Sequence, residues 1–269
     1  MPSIADLGPP LIYPIIWQMK RLVALALITL SPASAETDPF QEAFLAGDFV
    51  EARRLAEAEN TADSLAFAAR SQLATVVLSA TDRASETEIL EAETLARAAL
   101  SRDPDHIEGR LQLAIALSLR ARPLSAREVL RTGYGEMARD LAMSILSEDP
   151  DHLYSHSFLA VWHIEVVRRG GELGATMVGG SLRKAHEHYA EARRLDDGSA
   201  AIHWQYARAL AALNPRRHRA EIHAALERAL AARTETPLEW VMQSRAQALQ
   251  TALGELSTRE IRQLANATL

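Results

Sequence analysis

Three histidines carry the first hint of chemistry. His156 and His163 follow His152 by four and eleven residues. On an α-helix the three directions fall within about 40° of one another, so the imidazoles share one face. His186 and His188 follow on the next helical segment. Two imidazoles one turn apart, with a carboxylate such as Glu165 or Glu187, are a donor set for a catalytic zinc. A helical metal-dependent enzyme using the His152/His156/His163 stripe is therefore one expectation. The competing reading is packing. The sequence holds no His-Glu-x-x-His, and Arg110 and His203 occupy the place of His156 in neighbouring copies of an internal repeat. Arg, His and His in one place describe an edge position for a long or flat polar side chain. That reading is preferred, with no catalytic residue, metal or cofactor expected.

Two further patterns lose their mechanism on inspection. The run from Gly174 to Ser181, with Gly179 and Gly180, has the glycine spacing of a phosphate-binding loop. Gly180 stands where the lysine belongs, and no strand precedes it, so Ser181 is expected simply to cap a helix. Ser181 and Lys184 are spaced like a Ser-Lys nucleophile pair, but the companion motifs of such hydrolases are missing. The chain has no cysteine, which excludes disulfides, thiol nucleophiles and Cys-held metals.

The elements that position these residues follow from composition. Of 269 residues, 48% are hydrophobic and only 5% aromatic. Alanine and leucine, strong helix formers, carry most of the apolar content, which points to an all-α fold. No alternating apolar run bounded by turns suggests a strand. The net charge of −6 lacks the basic surplus that a nucleic-acid groove needs, so no nucleic-acid partner is expected.

Residues 19–35 have the layout of a secretory signal. Lys20 and Arg21 form the basic start, Leu22–Leu30 the apolar stretch, and Ala33-Ser34-Ala35 the cleavage site. Residues 1–18 are expected to be an upstream extension outside the fold, and 36–269 a single domain. The location implied is periplasmic or secreted, with membrane contact only during export.

The strongest internal signal is a repeat. Asp103-Pro104-Asp105-His106 recurs 46 residues later as Asp149-Pro150-Asp151-His152, and Asp196-Asp197 opens a third junction 47 residues further on. Ala92, Ala96 and Ala99 lead into the first junction, Ala138, Ala142 and Ile145 into the second, and Ala185, Tyr189 and Ala192 into the third. After each comes a second helix, marked by Leu113-Ala114, Leu159-Ala160 and Tyr206-Ala207. Small residues on one stripe let two helices approach closely. The Asp is expected to cap, and Pro to lie in the first turn of the helix that follows.

These residues resemble the tetratricopeptide repeat (TPR) family. Ala92, Ala96, Ala99 and Pro104 fall on that family's second-helix Ala, aromatic, Ala and Pro positions; Tyr189 keeps the aromatic that Ala96 lacks. Trp240 and Ser244 sit like the aromatic and small residues of a further first helix. The resemblance implies a right-handed solenoid of antiparallel helix hairpins with expanded 46–47-residue units. The excess lies at 118–133 and 165–180, two segments that align with each other and are expected to be lengthened helices or loops. The 170–180 stretch, rich in Gly, reads as the clearest loop.

By the same resemblance, Glu108, Leu111, Ile115, Tyr154, Ser157, Val161, Ala201, Trp204 and Arg208 face a concave groove. Their mainly apolar character suits a protein or peptide partner, an apolar segment or helix held by a non-catalytic scaffold. A second expectation is a periplasmic solute-handling subunit. The stretch from Gly179 to Asp196 loosely resembles TPR-type components that accompany TRAP transporters. The signal pattern generates the first prediction: intact-mass measurement of the cell-made protein gives an N-terminus at Glu36, and recovery of residues 1–18 overturns it.

Overall fold

Each junction between repeats is built around one aspartate. Asp103, Asp149 and Asp196 accept, through Oδ1, the backbone N–H two residues on, at 3.1, 3.2 and 2.7 Å. Such a local bond offers the backbone an alternative to helix and stops it there. At the first two junctions the cap of the next helix is the histidine that follows. His106 Nδ1 accepts the Gly109 N–H at 3.0 Å, and His152 Nδ1 accepts that of Ser155 at 3.2 Å. The expected roles are therefore corrected. Asp closes the turn, Pro104 and Pro150 lie within it, and His satisfies the orphan N–H.

The computed structural model describes residues 38–79 and 85–268. The extension at 1–18, the signal segment at 19–35 and its cleavage site lie outside them. The described residues form thirteen helices: α1 Pro39–Leu45, α2 Phe49–Glu59, α3 Ala62–Ser79, α4 Glu86–Arg102, α5 Ile107–Ala121, α6 Ala126–Thr132, α7 Tyr134–Glu148, α8 Leu153–Met177, α9 Leu182–Leu195, α10 Ala200–Leu213, α11 Arg219–Ala231, α12 Pro237–Glu255 and α13 Thr258–Ala267. No strand occurs among the described residues, and the fold is all-α as expected.

Successive helices pack as hairpins. Ala92, Ala96 and Ala99 on α4, Ala138, Ala142 and Ile145 on α7, and Ala185 and Ala192 on α9 are all completely buried. Leu113, Ala114 and Leu117 of α5 meet Ala96 and Ala138 in one cluster, so a single inner helix fills the gaps left by two alanine stripes. The outer helices α4, α7, α9 and α11 each pack on one or two members of an inner set: α3, α5, α8, α10 and α12.

The excess residues take two forms. At 118–133 the chain leaves α5, turns, and forms the short helix α6, capped by Ser125 and Glu128 in a reciprocal pair. At 165–180 the inner helix α8 simply runs on, broken at Gly171, whose φ of 65° and ψ of 179° are left to glycine. The expected Gly-rich loop is thus largely helical, and Gly174 lies inside it. The C-terminal register is also corrected. Trp240 is 61% exposed and Ser244 is exposed; Met242, Ala246, Leu249 and Leu253 form the buried face of α12 instead.

The alanine stripes generate a prediction. Ala142 and Ala207 have no exposed surface, so Ala142→Leu and Ala207→Leu each overpack a helix contact. Each costs about 1–3 kcal/mol, read as a lower melting temperature by circular dichroism. Unchanged melts at both would contradict the packing described.

Candidate functional site

The inner helices close on themselves. α3 packs on α5, α5 on α8, α8 on α10, α10 on α12, and α12 returns to α3. The closing contact is specific. Leu238 packs against the cluster of Phe44, Phe49, Ala52 and Ala74, and Arg245 donates from Nη2 to the Val77 carbonyl at 2.6 Å. Gly47 lies under Pro237 so closely that an added Cβ would stand 2.7 Å from the proline ring, and its φ of 86° favours glycine as well.

Inside the ring is a cavity of about 410 Å³. Its walls are apolar: Leu73 of α3, Leu111 and Ile115 of α5, Phe158 and Val161 of α8, and Met242 of α12 all line it. Tyr154, 49% exposed, marks the rim at the start of α8. Glu108 and Arg70, 3.9 Å apart and partly exposed, lie at the same end of α5.

The structure sorts the groove residues read from sequence. Glu108, Leu111, Ile115, Tyr154, Ser157, Val161, Ala201 and Arg208 line the cavity. Trp204 does not. It is 2% exposed within the core cluster that α8 to α13 share, so its placement in the groove is corrected. The cause is rotation: on α10, residues 201 and 208 face the cavity nearly two turns apart, and Trp204 points off that line, into the hairpin.

At the far end of α5 and α8 the cavity wall turns basic. Arg122, Glu165, Arg169 and Arg208 all line it. Arg168 holds Glu165 through Nε and Nη2 at 2.7 and 2.6 Å, and Arg208 Nη1 stands 3.6 Å from the same carboxylate. Arg208 Nε donates to Gln205 Oε1 at 2.9 Å, and the remaining guanidinium bonds go to helix ends, where carbonyls lack intrahelical partners. Arg169 donates to the carbonyls of Ala121, Arg122 and Leu124 beyond α5. Arg122 donates to Asn266 and Thr268, and Arg208 to Ala265, at the end of α13. Burial, then the nearby charge of Arg208, pushes the Arg122 guanidinium down to about 9. Burial lowers Arg208 and Arg169 as well, against the pull of Glu165. Burial alone would raise the Glu165 carboxyl, but Arg208, Arg168 and Arg122 outweigh it and hold it low.

Sequence reasoning missed Arg122 and Arg169 as cavity residues. One signal was available: they stand 47 residues apart at matching places in the two aligned extra segments.

The histidines are engaged with helix ends and with one another. His152 caps α8. His156 donates from Nε2 to the Pro150 carbonyl at 2.9 Å, leaving Nδ1 to accept from His188 Nδ1 at 2.9 Å. His203 repeats the first bond with Asp197, at 3.0 Å, and accepts from the Tyr189 hydroxyl at 2.8 Å. Arg110 does the same with the Asp105 carbonyl and adds a two-pronged pair with Glu148. The shared position thus pins the turn before its own helix. His163 stacks on His188, and its Nδ1 is buried with no partner. No group of three His, Asp or Glu among the described residues could hold a metal, and the alternative of a metal enzyme on the His152/His156/His163 stripe finds no donor set there. Ser181 caps α9 by accepting the Lys184 N–H, and Lys184 turns to the Gly179 carbonyl.

No protein-family model matches the chain, and no curated protein matches it. Among solved structures, a thermophilic TPR protein from Thermus thermophilus is similar at 20% identity, over 84% of this chain and 94% of that one, with a TM-score of 0.47. The hairpin order and the register of buried small residues described above make this a TPR-like helical repeat fold.

This geometry generates two predictions. Trp204→Ala destabilises by about 3–5 kcal/mol, as loss of a core side chain does. Trp204→Phe costs less, because the indole N–H it removes has no partner; a melt showing both variants at the wild-type temperature would return Trp204 to the surface. The second concerns pH. Burial first, then a neighbouring imidazole (His188 for His163, His156 for His188), with Lys184 adding to both, pushes His163 and His188 down to about 4. Unfolded histidine protonates near 6.5. Between pH ~6.5 and ~4 the unfolded chain therefore binds more protons, and stability falls as the pH drops, by on the order of a few kcal/mol for the pair. Urea midpoints at pH 7 and pH 4.5 measure the fall, and His188→Gln reduces its slope.

Proposed function

We propose that this protein is an exported, non-catalytic binding protein that holds a small apolar ligand in the cavity ringed by α3, α5, α8, α10 and α12. The observation that carries this reading is the contact between α12 and α3. Helical repeats bind through extended concave surfaces. Here Leu238 and Arg245 close the open side of that surface, and an extended groove becomes a cavity of about 410 Å³. Cavities of about 300–1,000 Å³ with apolar walls and a few polar groups are typical of small-molecule sites.

This favours the solute-handling expectation over a long peptide or helix laid along the groove. A peptide of that kind needs an open flank, which α12 occupies. An apolar side chain or chain end entering past Tyr154 is the form in which a protein partner remains compatible with the geometry. Export is supported by the pattern at 19–35 alone.

A small neutral apolar fluorophore, 1-aminonaphthalene, tests the reading. One saturable site is expected on the full chain. Val161→Trp fills the middle of the cavity and abolishes the signal while the melting temperature stays near wild type. Undiminished binding in that variant, or none in the folded wild type, would sink the proposal.

A further inference from the structure

The cavity has two chemically different ends, and the basic end is not explained by holding an apolar molecule. Among the described residues, four guanidiniums, those of Arg122, Arg168, Arg169 and Arg208, surround one carboxylate, that of Glu165. Arg168 already grips that carboxylate with two short bonds. The carbonyls at the ends of α5 and α13 accept hydrogen bonds from the other three. Those carbonyls are dipoles, and among the described residues Glu165 alone answers the whole charges. An unbalanced charge in a weakly hydrated site is costly, and an anion placed beside it offsets that cost.

Donors remain for such an anion. Among the described residues, Arg122 bonds only through Nη2, leaving Nε and Nη1 without a protein acceptor. Arg208 bonds through Nε and Nη1, leaving Nη2. Arg122 and Arg208 both line the cavity, and Arg208 is only 3% exposed. A planar head with two oxygens matches a guanidinium edge. The space next to it is apolar, walled by Leu111, Ile115, Val161 and Met242. At about 30 Å³ for each water-sized group, the 410 Å³ holds roughly a dozen non-hydrogen atoms.

We infer that the ligand is an aliphatic monocarboxylate of medium length, its carboxylate seated on Arg122 and Arg208 and its chain lying between α5, α8 and α12 toward the Tyr154 rim. This rests on the cavity reading proposed above and gives it a ligand class. The depressed Arg122 guanidinium, pushed to about 9 by burial and by Arg208, agrees with cations crowded together beyond what Glu165 balances.

The test compares three probes on the full-length chain by isothermal titration calorimetry at neutral pH: decanoate, decan-1-ol and butyrate. Decanoate is expected to bind at least about tenfold more tightly than decanol, the worth of one charge-assisted hydrogen bond. Butyrate, with a head but little chain, is expected to bind weakly. Arg122→Gln should bring decanoate down to the level of decanol and leave decanol unchanged. Equal binding of decanoate and decanol by the wild type overturns the anionic end and leaves the apolar cavity intact. Absence of binding by both, in folded protein, overturns the cavity reading as well. Decanoate binding retained in Arg122→Gln removes Arg122 from the site. Should that variant fail to fold, the decanoate-to-decanol ratio in the unaltered protein decides, with Arg208→Lys as the second variant, expected to lower that ratio; an unchanged ratio there removes Arg208 from the site.

Discussion

Close contact between helices at fully buried alanines is the constraint on which the rest of the structure depends. Ala92, Ala96 and Ala99, then Ala138 and Ala142, then Ala185 and Ala192 keep one face of each outer helix free of bulk. An inner helix can then settle deep against two outer ones, as Leu113 and Leu117 of α5 do between α4 and α7. That depth fixes which way each inner helix is rotated. Rotation decides that Leu111 and Ile115 point into the cavity while Leu113 and Leu117 point away. On α10 the same rule sends Arg208 inward and Trp204 into the hairpin. The junctions keep the rule in phase, since each Asp turn and each pinning side chain (Arg110, His156, His203) starts the next inner helix from the same reference point.

Helix ends supply the polar chemistry. Where α5 and α13 finish, carbonyls without intrahelical partners meet Arg169, Arg122 and Arg208. Capping helix ends with arginine is ordinary. Three such caps meeting at one wall of one cavity create a basic site out of groups that each have a local structural reason to be there. Glu165 balances only part of the charge, and its position one turn before Arg169 on α8 places it at the centre of the group.

Much of the repeat was legible in the sequence because it is written locally. Ala96 to Ala142 and Asp103 to Asp149 preserve their offset, and the residues between them must then do the same work twice. Leu111, Ile115, Ser157 and Val161 could be placed on the cavity side from that register together with the resemblance to TPR proteins. Trp204 could not, because bulk and apolar character suit a core and a groove equally well, and only the rotation of α10 separates them. Leu73, Leu238 and Met242 were illegible for another reason. They reach the cavity through the return of α12 to α3, a contact between segments more than 150 residues apart that no local pattern records. Arg122 and Arg169 lay in the extra segments, where the TPR register has no position for them.

The return of α12 to α3 changes the kind of object the chain is. An open array of helical hairpins is quasi-linear: its stability is close to a sum of neighbour terms, and its end repeats fray. Joining the first hairpins to the last makes the order cyclic. Arg245 and Val77 are 168 residues apart, so the last bond of the cycle is among the longest-range contacts in the fold and is made at the greatest loop-closure cost. In exchange for slower assembly, no hairpin of the ring is terminal. Loosening any one of them releases the seam as well, so the ring opens as a unit, and the cavity exists only in molecules whose two ends have met.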